Sequence, residues 1–380
     1  MQFTRFMVTA AIAAAMNTSF MPADADAQTN AAAPLRLANN ATTTFATGQY
    51  WTAERLAAAR PITPRTGYAP ESMLQAQATG TPRSSAGRGP AAGVTASTQR
   101  LFTPSAASAF AEDDVATGVS PFNAGTLNAH FSSSRVSPPA SQTTYPFRTV
   151  GKLFFSDAAG GNYVCSASVI SYRVVVTAGH CVHSGAGGAA GFYRNFLFVP
   201  AFRNGVAPFG TWNWAYVTVT AAWAGGGGVV PNAADYAMFE MADRAAAPTR
   251  IGSVTGFLGW QTLSLATNHA TMLGYPCNLD NCQQMHRVDA GSFRGTAPNN
   301  VEYGSDARGG SSGGPWVQNF GEASVGQTGG TNAGMNRVIA VTSYGYVSID
   351  PKVQGASIPD NRWVQLWNNV CAHRVGNCTP

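Results

Sequence analysis

The sequence predicts an all-β fold that ends in one short helix. From about Tyr145 onward, short apolar runs alternate with Gly, Asn and Pro, which is typical of many short strands joined by turns. Helical periodicity is confined to the C-terminus, where Trp363, Leu366, Trp367 and Val370 recur at i, i+3, i+4 and i+7. A region of roughly 235 residues can bury one or two cores, arranged as a barrel or a sandwich.

The individual elements follow from these patterns. The helix is predicted over Asn361–Val370, with Asp360 as its N-cap. We predict strands at these segments: Lys152–Phe155, Tyr163–Ile170, Val174–Thr177, Phe196–Pro200, Tyr216–Thr220, Tyr236–Met241, Thr271–Tyr275, Trp316–Val317 and Val338–Ser343.

The N-terminal residues have the features of an export signal. Arg5 is followed by the apolar segment Phe6–Met21 and by the A-x-A site Ala25-Asp26-Ala27, so residues 1–27 are predicted as a signal peptide with Gln28 as the new N-terminus. A membrane anchor is the weaker alternative because the apolar run is short and interrupted. We therefore expect a secreted, extracellular or periplasmic protein.

Residues 28–120 are predicted as a low-complexity propeptide or linker. They are rich in Ala, Thr, Ser, Gly and Pro and contain long stretches without a helical or strand period, so we expect no core of their own. A plain tail without a function is the alternative. Residues 121–380 are then the folded domain.

The charge pattern excludes an extended nucleic-acid interface. The formal net charge is +5 and is spread along the chain without a block of like charges. No further segment approaches the length of a membrane span, so we expect no membrane partner. From the charge pattern we expect no nucleic-acid partner, and we also expect a monomer.

The six cysteines fit an oxidising compartment. They allow 15 pairings, and their order along the chain favours Cys165–Cys181, Cys277–Cys282 and Cys371–Cys378. A zinc site is the alternative, but these spacings are not C-x2-C and no histidine pair has ligand spacing. We expect neither a metal nor a cofactor.

A reactive serine is predicted in Gly310–Pro315, GSSGGP. Glycines without a Cβ allow consecutive N–H groups to converge on one point, as an oxyanion requires, and Ser312 lies at the centre. A flexible linker is the alternative, yet this segment leads directly into the apolar Pro315-Trp316-Val317.

A serine nucleophile requires a base and a group that orients the base. His180 is the candidate base because it follows an apolar strand at a tight turn, beside Cys181. Asp235, at the start of another apolar run, is the candidate orienting acid, although it could instead be a turn aspartate. The other histidines are interpreted as polar residues with structural partners: His130, His183, His269, His286 and His373.

These segments carry a family resemblance. TAGHC at 177–181, DYAMF at 235–239 and GSSGGP at 310–315, in the order His, Asp, Ser, resemble the chymotrypsin-like serine peptidases. YPFR at 145–148 and GYP at 274–276 are similar to the bacterial V8-type, glutamyl endopeptidase-like branch. The resemblance covers about residues 145–370 and implies two antiparallel β-barrels with the catalytic residues in the cleft between them.

The resemblance implies a role for each matching residue. Ser312 attacks the scissile carbonyl, His180 transfers the proton, and Asp235 holds the imidazolium. The N–H groups of Gly310 and Ser312 form the oxyanion hole. Ser343-Tyr344-Gly345 matches the strand along which a substrate backbone lies, and Cys165–Cys181 matches the disulfide of the histidine loop.

The sequence departs from the family at the residues that set activation and specificity. Ser311 stands where trypsin-like zymogens have the acid that receives a new N-terminal amine, so we expect no activation by that ion pair. Ala307 and Ser343 replace the residues typical of glutamate-specific relatives. Asp306 matches the acid at the base of a trypsin-like pocket, which would favour Arg or Lys, unless Arg308 pairs with it.

These inferences predict a secreted serine endopeptidase acting on protein or peptide substrates. With a basic-specific pocket, Arg100 and Arg135 become candidate self-cleavage sites. A catalytically inactive binding or adhesion module of the same fold is the alternative from another class. An esterase or amidase is the alternative enzyme, because the same acyl-transfer site can hydrolyse other acyl compounds.

Overall fold

The computed structural model describes residues 32–39, 47, 49–67, 75–104, 125–321, 334–346, 348 and 350–380. The predicted signal peptide and parts of the predicted propeptide or linker lie outside these residues. Among the helices of the described residues, none has the length and hydropathy needed to cross a membrane.

The described residues are mostly strands, with five short α-helices. The strands before residue 140 are β1 (Leu35–Ala38), β2 (Arg60–Pro61), β3 (Arg65–Thr66), β4 (Ser84–Ser85) and β5 (Phe131–Arg135). The next group comprises β6 (Val150–Ser156), β7 (Asn162–Val169), β8 (Val174–Thr177), β9 (Arg194–Pro200), β10 (Trp212–Val219), β11 (Val229–Val230) and β12 (Ala237–Met241). The last group comprises β13 (Gly259–Gln261), β14 (His269–Gly274), β15 (His286–Thr296), β16 (Asn300–Gly304), β17 (Pro315–Gln318), β18 (Arg337–Val341), β19 (Tyr344–Gly345) and β20 (Val353–Ser357). The helices are α1 (Ala53–Ala58), α2 (Pro139–Gln142), α3 (Ala221–Ala224), α4 (Ile251–Thr255) and α5 (Asn361–His373).

The first sheet closes into an antiparallel barrel. Its strands follow the order β10-β12-β8-β7-β6-β9, and β9 pairs back onto β10. The central strands are buried on both faces, because β6 and β8 are buried along their whole length. This closed barrel confirms the predicted all-β class and carries His180 and Asp235 at the ends of neighbouring strands.

The second sheet carries the serine. Its order is β19-β20-β16-β15-β14-β17-β18-β13-β4, with β5 added to β15. A smaller apolar cluster that includes Trp316, Ile339 and Tyr303 lies in this half of the molecule. Ser312 lies in the connection between β16 and β17, and the N–H of Ser166 in β7 donates to its carbonyl, so the serine loop lies against the first sheet.

The C-terminal helix forms as predicted. The side chain of Asp360 caps α5 by accepting a hydrogen bond from the N–H of Arg362 at 2.9 Å. Trp363, Leu366 and Val370 are buried along one face. The observed helix continues to His373, one turn beyond the predicted end.

The predicted propeptide or linker packs onto the barrel. We call the described residues between 32 and 104 the leader segment. Its strand β1 pairs with β10 at Tyr216–Val219, where β9 no longer pairs with that strand. Trp51, Leu56 and Phe102 are buried in the main apolar core. The leader segment therefore has no core of its own and adds large side chains to that of the barrel.

The cysteines pair with their neighbours along the chain. The structure contains the disulfides Cys165–Cys181, Cys277–Cys282 and Cys371–Cys378. The first joins β7 to the His180 turn, and the last closes the chain behind α5.

Candidate active site

His180 lies where the chain leaves the barrel. Strand β8 ends at Thr177, and a 3₁₀ turn at Gly179–Cys181 follows directly. The disulfide from Cys181 to Cys165 fixes this turn to β7. The imidazole is buried, which is consistent with the predicted strand-to-turn junction.

Asp235 is brought beside His180 by strand pairing. Ala237 is the register partner of Thr177, so the residues just outside this pair are neighbours. The Oδ2 atom of Asp235 lies 2.7 Å from Nδ1 of His180, and its Oδ1 accepts a hydrogen bond from the His180 N–H at 2.8 Å. Because an ionised carboxylate only accepts, Nδ1 carries the proton and Nε2 is left with a free lone pair.

Groups from the second sheet also hold Asp235. The hydroxyl of Ser343 donates to Oδ2 of Asp235 at 2.6 Å, and the N–H of Asp235 donates to Oγ of Ser357 at 3.0 Å. Ser343 was predicted as a substrate-strand residue, and its side chain has this second, orienting contact. The Asp235 side chain and backbone are thus held by residues of both sheets.

The glycines beside Ser312 permit a close approach to the barrel. Gly313 has a φ of +77°, and a Cβ there would lie 2.0 Å from Oγ1 of Thr177. Gly310 has a φ of +96°, and a Cβ there would lie 2.5 Å from the carbonyl oxygen of Tyr275. A side chain at Gly313 would force the serine loop away from the His180 strand, and one at Gly310 would force it away from the residues that follow β14.

The backbone of Ser312 is held by one hydrogen bond and lies beside two N–H groups that have no acceptor among the described residues. Its carbonyl accepts a hydrogen bond from the N–H of Ser166 at 2.7 Å. Among the described residues, the N–H groups of Gly310 and Ser312 have no acceptor. The Ser312 hydroxyl is not bonded to Nε2 of His180, which is buried without a partner in the described chain. Catalytic hydrogen bonds of this kind often form only when substrate binds.

Ser312 opens into a cleft of about 670 Å³, a size typical of ligand sites. Tyr344 and Gly345, which were predicted as substrate-strand residues, line it together with Ser343. Arg308 is the one charged side chain among the described residues that line this cleft. Burial lowers the pKa of its guanidinium, although nearby acids oppose this effect.

Asp306 does not line this cleft. Its Oδ1 is buried without a hydrogen-bond partner among the described residues, and its carbonyl accepts a hydrogen bond from Nδ2 of Asn278 at 2.9 Å. Arg308 donates instead to the carbonyl of Tyr346. The sequence left open whether Arg308 pairs with Asp306 or points to solvent, and in the structure its guanidinium binds a backbone carbonyl and interacts electrostatically with Asp306.

Two polar residues of the site were not predicted from the sequence. The Gln354 side chain lines the cleft and accepts from the Ser305 hydroxyl at 3.0 Å, while its Nε2 donates to Oγ of Ser311 at 2.7 Å. The hydroxyl of Ser166 donates to the carbonyl of Gly310 at 2.8 Å. Neither residue lies in a recognisable motif, because each acts through partners that are distant in the chain.

A buried carboxylate supports two tyrosines that line the cleft. Oε1 of Glu302 lies 3.1 Å from the hydroxyl of Tyr344 and 3.1 Å from that of Tyr346. The side chain of Arg294 pairs with Oε2 of Glu302 at 2.7 Å. Burial, reinforced by this carboxylate, raises the pKa of the Tyr344 phenol well above its usual value.

Several remaining histidines have structural partners, as predicted. Burial lowers the pKa of His183 and of His286. The contacts are His183 Nε2 with the Gly188 carbonyl at 2.7 Å, His286 with Asp280 at 2.6 Å, and His373 with Glu240 at 2.6 Å.

Comparison with known proteins agrees with this arrangement. The trypsin family matches residues 140–194, which include His180 and the Cys165–Cys181 disulfide. The chain is 26% identical over 176 residues to a glutamyl endopeptidase from Bacillus licheniformis, a match covering 46% of this chain and 49% of that protein. The chain thus spans about half the length of this curated relative.

Two solved structures are similar over most of their own length. Protease Anisep from Arthrobacter nicotinovorans is 27% identical, with 59% of this chain and 96% of that chain covered and a TM-score of 0.49. The thermostable serine protease AL20 from an extremophilic microorganism is 27% identical, with 60% and 98% covered and a TM-score of 0.49.

The closed barrel, the His180–Asp235 pair and the match over residues 140–194 are all similar to trypsin-like serine peptidases. Within that class, the similarity extends to a glutamyl endopeptidase.

Proposed function

We propose that this protein is a serine endopeptidase that hydrolyses peptide bonds through an acyl-enzyme on Ser312. The observation that carries the proposal is the buried His180–Asp235 pair, whose Nδ1 and Oδ2 atoms are 2.7 Å apart and whose carboxylate accepts a hydrogen bond from Ser343, a residue that lines the same cleft as Ser312. A neutral imidazole held in this tautomer has Nε2 available as a general base.

The first half-reaction forms the acyl-enzyme. Oγ of Ser312 attacks the carbonyl carbon as its proton passes to Nε2 of His180. The negative charge on the former carbonyl oxygen is stabilised by the N–H groups of Gly310 and Ser312, each worth about 3 kcal/mol in the transition state. The C–N bond then breaks, and the imidazolium gives its proton to the leaving amine.

The second half-reaction restores the enzyme. Water gives a proton to Nε2 of His180 and adds to the ester carbonyl of acylated Ser312. The ester C–O bond breaks, Oγ takes the proton back, and the acid product leaves. Asp235 stabilises the imidazolium in both halves and keeps its own charge. The steps balance without a metal or a cofactor.

The test is a comparison of hydrolysis rates. The intact chain should hydrolyse a chromogenic ester, and Ser312→Ala or His180→Ala should each lower kcat on this ester by about 10⁴ to 10⁶. Thr144→Ala, at an exposed residue outside the cleft, is the matched control and should keep the wild-type rate. Equal rates in Ser312→Ala and the control would exclude this function.

The substrate side chain is proposed to be uncharged or acidic. The expected preference for Arg or Lys depended on Asp306, which does not line the cleft, whereas Arg308 and the amide of Gln354 do. A cationic side chain would meet a like charge and no carboxylate there. A cleavage profile on a peptide library should therefore be depleted in Arg and Lys before the scissile bond, and enrichment of either residue would contradict this assignment.

We further propose that the enzyme acts outside the cytoplasm, with residues 1–27 as signal peptide and 28–120 as propeptide. The three disulfides support this location because such bonds persist in oxidising compartments.

A further inference from the structure

Leader residues 60–66, which we call the cleft strap, run from one rim of the cleft to the other. At one end, β2 pairs in parallel with β7, with Arg60 opposite Tyr163 and Pro61 opposite Val164. At the other end, β3 pairs in parallel with β11, with Arg65 opposite Val229 and Thr66 opposite Val230. β7 carries Cys165 of the His180 disulfide, and β11 shortly precedes Asp235.

The middle of the strap lies at the serine. Ile62, Thr63 and Pro64 line the same cleft as Ser312. Pro61 packs so closely on the serine loop that a Cβ built on Gly309 would lie 3.0 Å from its Cβ. The strap is therefore a wall of the cleft.

The strap is anchored on both sides. Before it, the indole N–H of Trp51 donates to the carbonyl of Asn195 at 2.6 Å, and the Tyr50 hydroxyl donates to Oδ1 of Asn162 at 2.7 Å. After it, the N–H of Arg65 donates to the carbonyl of Gly228 at 3.2 Å. Pro61 and Pro64 restrict the backbone between these anchors.

We propose that the cleft strap excludes polypeptide substrates from Ser312 while small acyl compounds still enter. A polypeptide laid across the serine has to pass between the two rims where the strap backbone already pairs. The remaining space of about 670 Å³ suits a small ester. This inference rests on the proposed function and adds to it a substrate-size limit set by the chain itself.

The test measures the ratio of two rates in the full chain. Ile62→Asp places a charge on a half-buried apolar strap residue and should favour release of the strap. Val94→Asp makes the same change at a half-buried leader residue that does not line the cleft. The measured quantity is the hydrolysis rate on fluorescein-labelled, reduced casein divided by the rate on p-nitrophenyl butyrate. This ratio should rise at least about tenfold in Ile62→Asp and stay unchanged in Val94→Asp. A tenfold rise corresponds to a strap that is closed about ten times as often as it is open in the wild type.

The outcomes separate this inference from the proposed function. The strap proposal is overturned if the casein-to-ester rate ratio is equal in wild type and Ile62→Asp, or if it rises equally in Ile62→Asp and Val94→Asp. In either case, ester hydrolysis that depends on Ser312 still supports the proposed peptidase function. Loss of ester hydrolysis in every form of the chain overturns the peptidase.

A binding measurement reads strap occupancy without catalysis. In the Ser312→Ala background, the anisotropy of the labelled casein should report at least about tenfold tighter binding after Ile62→Asp than after Val94→Asp. Equal casein affinities of the two double variants would overturn the proposal that the strap excludes polypeptides, whatever the hydrolysis rates are.

Discussion

Gln354 joins the two ends of the loop that carries the nucleophile. Its amide accepts from Ser305 at 3.0 Å and donates to Ser311 at 2.7 Å, and the Ser311 hydroxyl donates to the carbonyl of Arg308 at 2.6 Å. Ser311 occupies the position at which trypsin-like zymogens have an acid. A neutral hydrogen-bond chain therefore orders this loop, and we infer that Gln354 positions the oxyanion amides of Gly310 and Ser312.

Gln354→Leu keeps the side-chain volume and removes both hydrogen bonds. The N–H groups of the oxyanion hole stabilise the transition state and not the bound substrate, so a loss of their position should lower kcat and leave KM nearly unchanged. We expect kcat on a small ester to fall at least about tenfold. Gln261→Leu, at a buried glutamine of β13, is the matched control for general destabilisation. Parallel losses of kcat in the two variants, or a rise of KM alone in Gln354→Leu, would refute a positioning role.

Single residues differ in how far the sequence could predict them. Ser312, His180 and Asp235 lie in local patterns whose chemistry is recognisable from the neighbouring residues alone. Gln354 contacts Ser311 across 43 positions and Ser166 contacts Gly310 across 144, so only the folded chain brings these pairs together. Asp306 was predicted from its position relative to Ser312, but its carboxylate does not line the cleft, because sequence position does not determine the direction of a side chain.

Strands with a continuous apolar run were predicted well, because such a run indicates burial, whereas the buried strands β13 and β20 were missed. Each segment proposed as a strand overlaps an observed one, including Val174–Thr177 with identical bounds. Strand β15 was missed since its second half is largely exposed and polar, and β16 was missed since it contains Glu302. That carboxylate is buried only because Arg294 and two tyrosines satisfy it.

The strands of the leader segment could not be predicted from periodicity. β2, β3 and β4 have two residues each, too few to repeat an apolar pattern. They pair through backbone groups with strands that are distant in the sequence. Low complexity predicted a segment without its own core and contained no information about where that segment packs.

One buried lysine should make the free energy of unfolding depend on pH. Lys152 lies in the barrel, where its Nζ donates to the carbonyl of Cys282 at 3.0 Å and lies 4.6 Å from the ring centre of Phe202. Burial lowers its pKa from 10.5 to about 7. Between these two values the unfolded chain holds a proton on Lys152 that the folded chain has released.

Lys152 should therefore make stability increase with pH across the window from about 7 to 10.5. Its contribution to the slope is about 1.4 kcal/mol per pH unit, and it vanishes below the folded pKa, where both states are protonated. Lys152→Met should remove this slope, whereas Lys352→Met should retain it. The measurement is urea unfolding of both variants at several pH values, and identical slopes would contradict the assignment.

At the scale of the whole chain, the sequence predicted the all-β class of the domain and the three residues proposed for catalysis. The path of the leader across the cleft was not predictable, since it depends on strand pairing between residues about 100 to 160 positions apart. The cleft is thus formed by the peptidase domain and the leader together.

The most direct test of the central claim locates the acyl group. The full chain is reacted with p-nitrophenyl butyrate, quenched in acid, digested and examined by mass spectrometry. We predict one butyryl group on Ser312, absent in Ser312→Ala and strongly reduced in His180→Ala. A butyryl group that persists in Ser312→Ala, on Ser311 or elsewhere, or no adduct at all during ester hydrolysis, would contradict the account.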